Sequence, residues 1–285
     1  MSDGQEQILD APLAQPVGGT EKASGESRAE RSRLGGYRRR FAVVYLGLAL
    51  IVGVALGAFV VLVGRPDAAP DPVWSAWEPN GSETARVRQI ADHVTQGYRT
   101  PEGDQMVVAL AGPPSIMGSE GTAPIPIRAI AVRPDTSRGQ AEEDDIEIHD
   151  ASKSMQFILC GLGDACAMAG APSVARHSLL RREALELALY TFKYIDEVDS
   201  VTVLLPPPPG GESPATAVFL RRGDVNGELK VPLRRTMSAG APPLGKIPAT
   251  ELETLNRITL PRLYNFQYTQ TQDLSAVLVL DPAIS

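Results

Sequence analysis

Residues 41–63 read FAVVYLGLALIVGVALGAFVVLV, a run without a single charge. At about 1.5 Å per helical residue it covers about 35 Å, against a bilayer hydrocarbon core of about 30 Å, so it is long enough to span with a modest tilt. Its flanks are asymmetric: Arg31, Arg33, Arg38, Arg39 and Arg40 precede it, whereas Arg65 is followed by Asp67 and Asp71. Cationic residues stay on the cytoplasmic side of a span, which predicts a cytoplasmic N-terminus and places everything after Arg65 outside. A cleaved secretory signal is the competing reading, because Arg38-Arg39-Arg40-Phe41 imitates a twin-arginine core and Ala68-Ala69 a cleavage end. It fits less well. Signal cores run about 7 to 15 residues, a long segment precedes this one, and Asp67 stands where a small residue is wanted.

Outward from the span, the N-terminal stretch is rich in Gly, Ser, Ala, Gln and Glu with few large apolar residues. Such a segment buries too little surface to offset chain entropy. The expected organisation is a disordered cytoplasmic tail at 1–40, a transmembrane helix at 41–63, a linker at 64–81 and an extracytoplasmic domain at 82–285. Of 27 Lys+Arg and 34 Asp+Glu in the chain, residues 1–65 hold 8 and 6, which leaves 19 against 28 and a domain near −9. An acidic domain without a basic stripe argues against nucleic acid as a partner. The excess of arginine over lysine, 22 to 5, suggests a GC-rich bacterial genome.

Beyond the linker, Trp74 and Trp77 suit either the membrane interface or the edge of a core. Val87, Ile90, Ala91, Val94 and Tyr98 recur at helical spacing from Ser82 or Glu83 onward, and Ser173 caps a longer helix to about Tyr194 that should be the central packing element. Strand patterns cover Met106–Ala111, Ile125–Val132, Met155–Cys160, Val201–Leu205 and Ala215–Leu220. A short helix or irregular stretch follows the last of these, then a Pro/Gly-rich loop at about 238–248, and the chain closes with a hairpin of Leu263–Thr269 and Ser275–Leu280. The pattern predicts an α+β domain with helices packed on one face of a mixed, mostly antiparallel sheet. A helix-strand-strand echo, Tyr98 to Val132 against Tyr194 to Leu220, raises an internal duplication as one reading and chance recurrence as the other.

Cys160 and Cys166 are the only cysteines. On the oxidising side of a membrane they are expected to form a disulfide, with two reduced thiols as the alternative. Glu142–Asp150 reads EEDDIEIHD, and a strand there puts Asp145, Glu147 and His149 on one face, a donor set that could hold a divalent cation or simply keep an edge strand soluble. Gly161-x-Gly163-x-x-Cys166 departs from a dinucleotide fingerprint at its third position. Gly240–Lys246 has phosphate-loop spacing but ends in Ile247 and loses backbone donors to Pro242 and Pro243. No cofactor is called for. Ala49, Gly53 and Gly57 form a small-residue stripe along the span that would admit a weak homodimer, or else reflects ordinary membrane-helix composition.

The segments FILCGLGDAC, LLRREALELALYTFKY and VTVLLPPPP within 155–208, with LPRLYNF and DLSAVLVLDP near the C-terminus, resemble uncharacterised single-pass envelope proteins of high-GC bacteria. The resemblance implies a bacterial membrane setting and no assigned activity. Absence of any G-x-S-x-G, H-E-x-x-H, S-x-x-K or C-x-x-C favours a non-enzymatic binding, scaffold or assembly module that meets an envelope protein or wall ligand. The alternative is a membrane-tethered hydrolase acting on cell-wall material, with Asp145, Glu147 and His149 as its first candidates.

Overall fold

The computed structural model describes residues 31–63, 73–116, 123–135, 142, 145–162, 166–168, 172–207, 216–270 and 275–283. The chain divides into two compact units, Met1–Pro70 and Asp71–Ser285. The first is represented by one continuous helix, α1 (Arg31–Val63). Among the described residues, Arg40–Phe59 within it is the stretch long and apolar enough to cross a membrane. The helix starts at Arg31, so residues 31–40, expected as disordered tail, are helical. Gly35 and Gly36 are poor helix formers, but a helix already nucleated in the apolar run propagates back through them at a cost of only about 1 kcal/mol each. The rest of the expected tail, residues 1–30, lies outside the described residues.

In the second unit, α2 (Glu83–Thr95) starts where the Ser82 side chain accepts a hydrogen bond from the Ala85 N–H, and it buries Val87, Ile90, Ala91 and Val94. Then come β1 (Val107–Gly112), β2 (Ser115–Ile116), β3 (Ile125–Val132), β4 (Glu147–Asp150) and β5 (Ser154–Gly161). Helix α3 (Val174–Tyr194) begins with the Ser173 side chain accepting from the Arg176 N–H. It leads to β6 (Ser200–Leu204), β7 (Thr216–Arg221), α4 (Asn226–Leu229), α5 (Ala249–Thr259), β8 (Leu263–Gln270) and β9 (Ala276–Pro282). The strands form one sheet in the order β1-β5-β6-β7-β8-β9-β3-β2, with β4 also on β3. Only β5–β6, joined by the α3 crossover, and β3–β9 are parallel, so the mixed and mostly antiparallel sheet expected from the sequence is present.

The first and last strands of that order, β1 and β2, are separated in the chain only by Pro113-Pro114. From β5, the Gln156 amide also donates to the Ser115 carbonyl (2.9 Å) and accepts from its N–H (3.3 Å). The sheet therefore curls on itself into a barrel-like shape with two cores. On the convex face, Phe157, Leu159, Val201, Val203, Val218 and Leu220 pack under α2, α3 and α5. On the concave face, Ile127, Ile130, Leu204, Ala217, Phe219, Leu278 and Leu280 meet one another. Alternation alone put Ile127 and Ile130 on opposite faces of β3. A bulge between Ile127 and Ala129 adds one residue against β9 and turns both inward.

Trp74 is 8 % exposed and packs edge-on to Tyr190 at 5.3 Å, which settles its two readings in favour of the core. Trp77 stacks on His93 at 3.9 Å, so part of the expected 64–81 linker is packed structure. The duplication reading finds no support in pairing: β6 and β7 are neighbours, whereas β1 and β3 are not. The helix α5, absent from the expected elements, carries Leu252, Leu255, Ile258 and Thr259 towards α3.

Candidate functional site

Two arginines packed against the helical layer are structural. Arg182 is fully buried on α3, and its guanidinium donates to Glu251 (2.6 Å), Glu186 (2.9 Å), the Tyr98 hydroxyl and the carbonyls of Ser238 (3.0 Å) and Gly240 (3.3 Å). Every donor finds an acceptor, the condition under which a buried ionic network holds a fold together. The Gly240–Lys246 loop that imitates a phosphate site is thus tied down by carbonyls accepting from Arg182. At the other end of α3, Arg222 donates to the carbonyls of Phe192, Ile195 (2.7 Å) and Val198 (2.7 Å), a cation on the helix C-terminus.

Among the described residues, charged groups from several parts of the fold line a cavity of about 500 Å3 at the mouth of the curled sheet. β4 runs antiparallel to β3 with Glu147 opposite Val132, and this places Glu147 on the rim; Asp145, just before the strand, lines it too. β7 ends in Arg221, and the turn that follows returns Asp224, whose carboxylate accepts from the Arg221 N–H at 2.8 Å. The turn between α5 and β8 contributes Pro261 and Arg262, and Tyr264 and Phe219 reach it from the concave face of the sheet. Guanidinium and carboxylate alternate along one wall: Glu147–Arg221 2.9 Å, Arg221–Asp224 3.3 Å, Asp224–Arg262 3.0 Å.

Burial pushes the Asp224 carboxyl up, but hydrogen bonds from Arg262 and Arg221 outweigh it and hold the group below its ordinary value. Burial pushes the Tyr264 hydroxyl up, against the pull of Arg221 and Arg262, so it stays a neutral donor. The Glu147 and Arg221 side chains are 61 % and 46 % exposed, and ion pairs so open to water add little stability. Their consequence is local chemistry: a wall of planar, fork-shaped donors and acceptors with an aromatic ring below it.

Asp145, Glu147 and His149 are divided between two hollows. Asp145 and Glu147 line the main cleft, while His149 packs against Phe219 (5.1 Å) and borders a neighbouring hollow with Lys153, Asp199 and Arg222. His149 Nε2 lies 3.4 Å from Glu147 Oε2. Among the described residues no three His, Cys, Asp or Glu side chains are grouped to hold a metal ion. The alternation read from the sequence is kept in β4, but neither face is buried: Ile146 and Ile148 are 42 % and 66 % exposed, Asp145 and Glu147 are exposed as well, and His149 alone of the three candidates is half-buried.

Arg221, Asp224, Arg262 and Tyr264 were not singled out from the sequence. No spacing signals them, since they come from β7, the turn after it, the turn before β8 and β8 itself. No Ser, Thr, Cys or His occurs among the described residues lining the cleft. Elsewhere, Cys160 and Cys166 are joined in a disulfide with Cα atoms 4.5 Å apart. Gly161 is required beside it because an added Cβ would land on the Ala167 carbonyl. Ala49, Gly53 and Gly57 lie on α1 with their surfaces exposed, and a side chain at either glycine would meet nothing within 4 Å. Compared with known protein families, curated proteins and solved structures, the chain matches none.

Proposed function

We propose that this chain is a single-pass envelope protein, N-terminus cytoplasmic, whose extracytoplasmic domain is a non-enzymatic binding or scaffold module taking a compact polar ligand of the envelope or cell wall. The observation that carries the reading is the cleft at the barrel mouth. Mouths of curled sheets are a recurrent place for ligand sites, and about 500 Å3 falls in the usual range. Its arginines Arg221, Arg262 and Arg133 already have carboxylate partners in Glu147, Asp224 and Asp281. An entering anion would have to displace those carboxylates, whereas a neutral or amphoteric ligand can hydrogen-bond to both members of each pair. The arginine asymmetry about α1 supports the topology, and the disulfide supports an oxidising compartment.

A second reading, a tethered hydrolase acting on wall material, is favoured by Asp145 and Glu147 lining the same cleft. One experiment separates the two. The full chain, in a detergent without a sugar headgroup, is titrated with solubilised wall fragments, both glycan and peptide, while melting and fragment mass are followed. Binding predicts a stabilising shift that Arg221→Ala and Tyr264→Ala abolish, with fragments recovered intact. Shortened fragments that disappear with Glu147→Gln would establish the hydrolase instead, and shifts unchanged in the variants would remove the cleft from either account.

A further inference from the structure

The domain has a second surface that the cleft does not explain, around the point where the chain enters it. Two hydrogen bonds tie this point to the segment after α4: Trp74 Nε1 donates to the Glu228 carbonyl (3.3 Å) and the Leu233 N–H to the Trp74 carbonyl (2.8 Å). They gather Val73, Lys230, Val231, Arg234 and Arg235 about the same spot. Val73 is 77 % and Val231 37 % exposed, and the three cations are exposed as well. The nearby carboxylate of Glu228 is engaged by Arg257 at 2.9 Å. Within a domain whose net charge is near −9, this neighbourhood is cationic and apolar at once.

We infer that this surface rests on anionic lipid headgroups. The chemistry matches an interface: short apolar side chains enter the acyl boundary while ammonium and guanidinium groups meet phosphates. A short tether favours the encounter. Val63 closes α1, and the residues from there to Val73 can extend by at most about 3.6 Å each, on the order of 35 Å in all. With α1 in the bilayer, the patch is held at high effective concentration above the headgroups, so weak contacts suffice. Trp74, being in the core, is not the interfacial group; the exposed residues gathered around it are. The inference rests on the membrane reading of α1 and is independent of what occupies the cleft.

The test uses the full chain carrying Gly227→Cys, a position where an added side chain meets nothing within 4 Å, labelled with a thiol-reactive fluorophore while the native cysteines remain paired. It is reconstituted in nanodiscs of phosphatidylcholine with or without phosphatidylglycerol, both containing a headgroup spin-labelled lipid as quencher. Each basic residue near an anionic surface is worth about a five-fold bias towards the docked state, so three give on the order of a hundred-fold. Quenching should be strong in the anionic discs, weak in the neutral ones and relieved by molar salt. The variant Lys230→Glu/Arg234→Glu/Arg235→Glu should lose it, and Val73→Ser/Val231→Ser should reduce it, with unchanged tryptophan emission reporting an intact fold. Equal quenching in both lipids, insensitivity to salt, or quenching that survives charge reversal would overturn the inference.

Discussion

Replacing Glu183 on α3 with methionine should make the domain more stable, and increasingly so as pH rises. Glu183 is completely buried, and neither of its carboxyl oxygens has a hydrogen-bond partner. Burial, reinforced by Glu186 and only partly offset by Arg182, pushes its carboxyl well above the ordinary value, so it is held in the neutral form. A buried polar group without a partner costs about 1–3 kcal/mol, and methionine fills a similar volume without that cost. For a domain of this size each kcal/mol moves the melting temperature by about 2–4 °C, so Glu183→Met should raise it by roughly 2 to 12 °C. The pH arm has a definite sign. A folded-state pKa above the unfolded value of 4.5 means that the folded domain keeps a proton the unfolded chain has released. That contribution is complete below the unfolded pKa and is lost as pH rises towards the folded one, the parent's unfolding constant growing by up to about tenfold per unit. The methionine variant lacks this slope. Denaturant unfolding of the full chain in micelles, followed by emission of Trp74 and Trp77, should show the gap between variant and parent widening from about pH 5 to 8. A variant less stable than the parent, with a gap independent of pH, would refute the argument and mean that Glu183 is hydrogen-bonded and charged.

Arg222→Met should cost at least about 2 kcal/mol, since it strips three carbonyls, one in the last turn of α3 and two just beyond it, of a charged donor; the same unfolding assay measures it, and Arg222→Lys should recover only part of the loss because one ammonium cannot reach all three. Gly53→Ile or Gly57→Ile should weaken self-association of α1 in a membrane two-hybrid assay without affecting insertion, since helices in lipid associate by close packing; signals equal to the parent would reduce the stripe to composition.

The linear sequence determined those features whose physics is local. An uncharged run of 23 residues needs no tertiary partner to be recognised, because its length and composition alone match the thickness of a bilayer core. Strand alternation and helix capping likewise act over a few residues, which is why β3 and the start of α3 fall where periodicity and Ser173 put them. The same kind of signal, Leu252, Leu255 and Ile258 at spacing three behind Pro248, was present for α5 and overshadowed by the Pro/Gly-rich loop before it. The bulge in β3 lay beyond local reach, since it arises from register against β9, far along the chain. So did the inward turn of Arg182, whose charge is tolerated only because Tyr98, Glu251 and the carbonyls of Ser238 and Gly240 converge on it. The cleft is the clearest case. Asp145 and Glu147 stood out as a charged cluster, but they meet Arg221, Asp224, Arg262 and Tyr264, already gathered by the pairing of β7 with β8, only when the sheet curls and brings β4 to them. That closure depends on pairing between distant strands, and no window of sequence contains it.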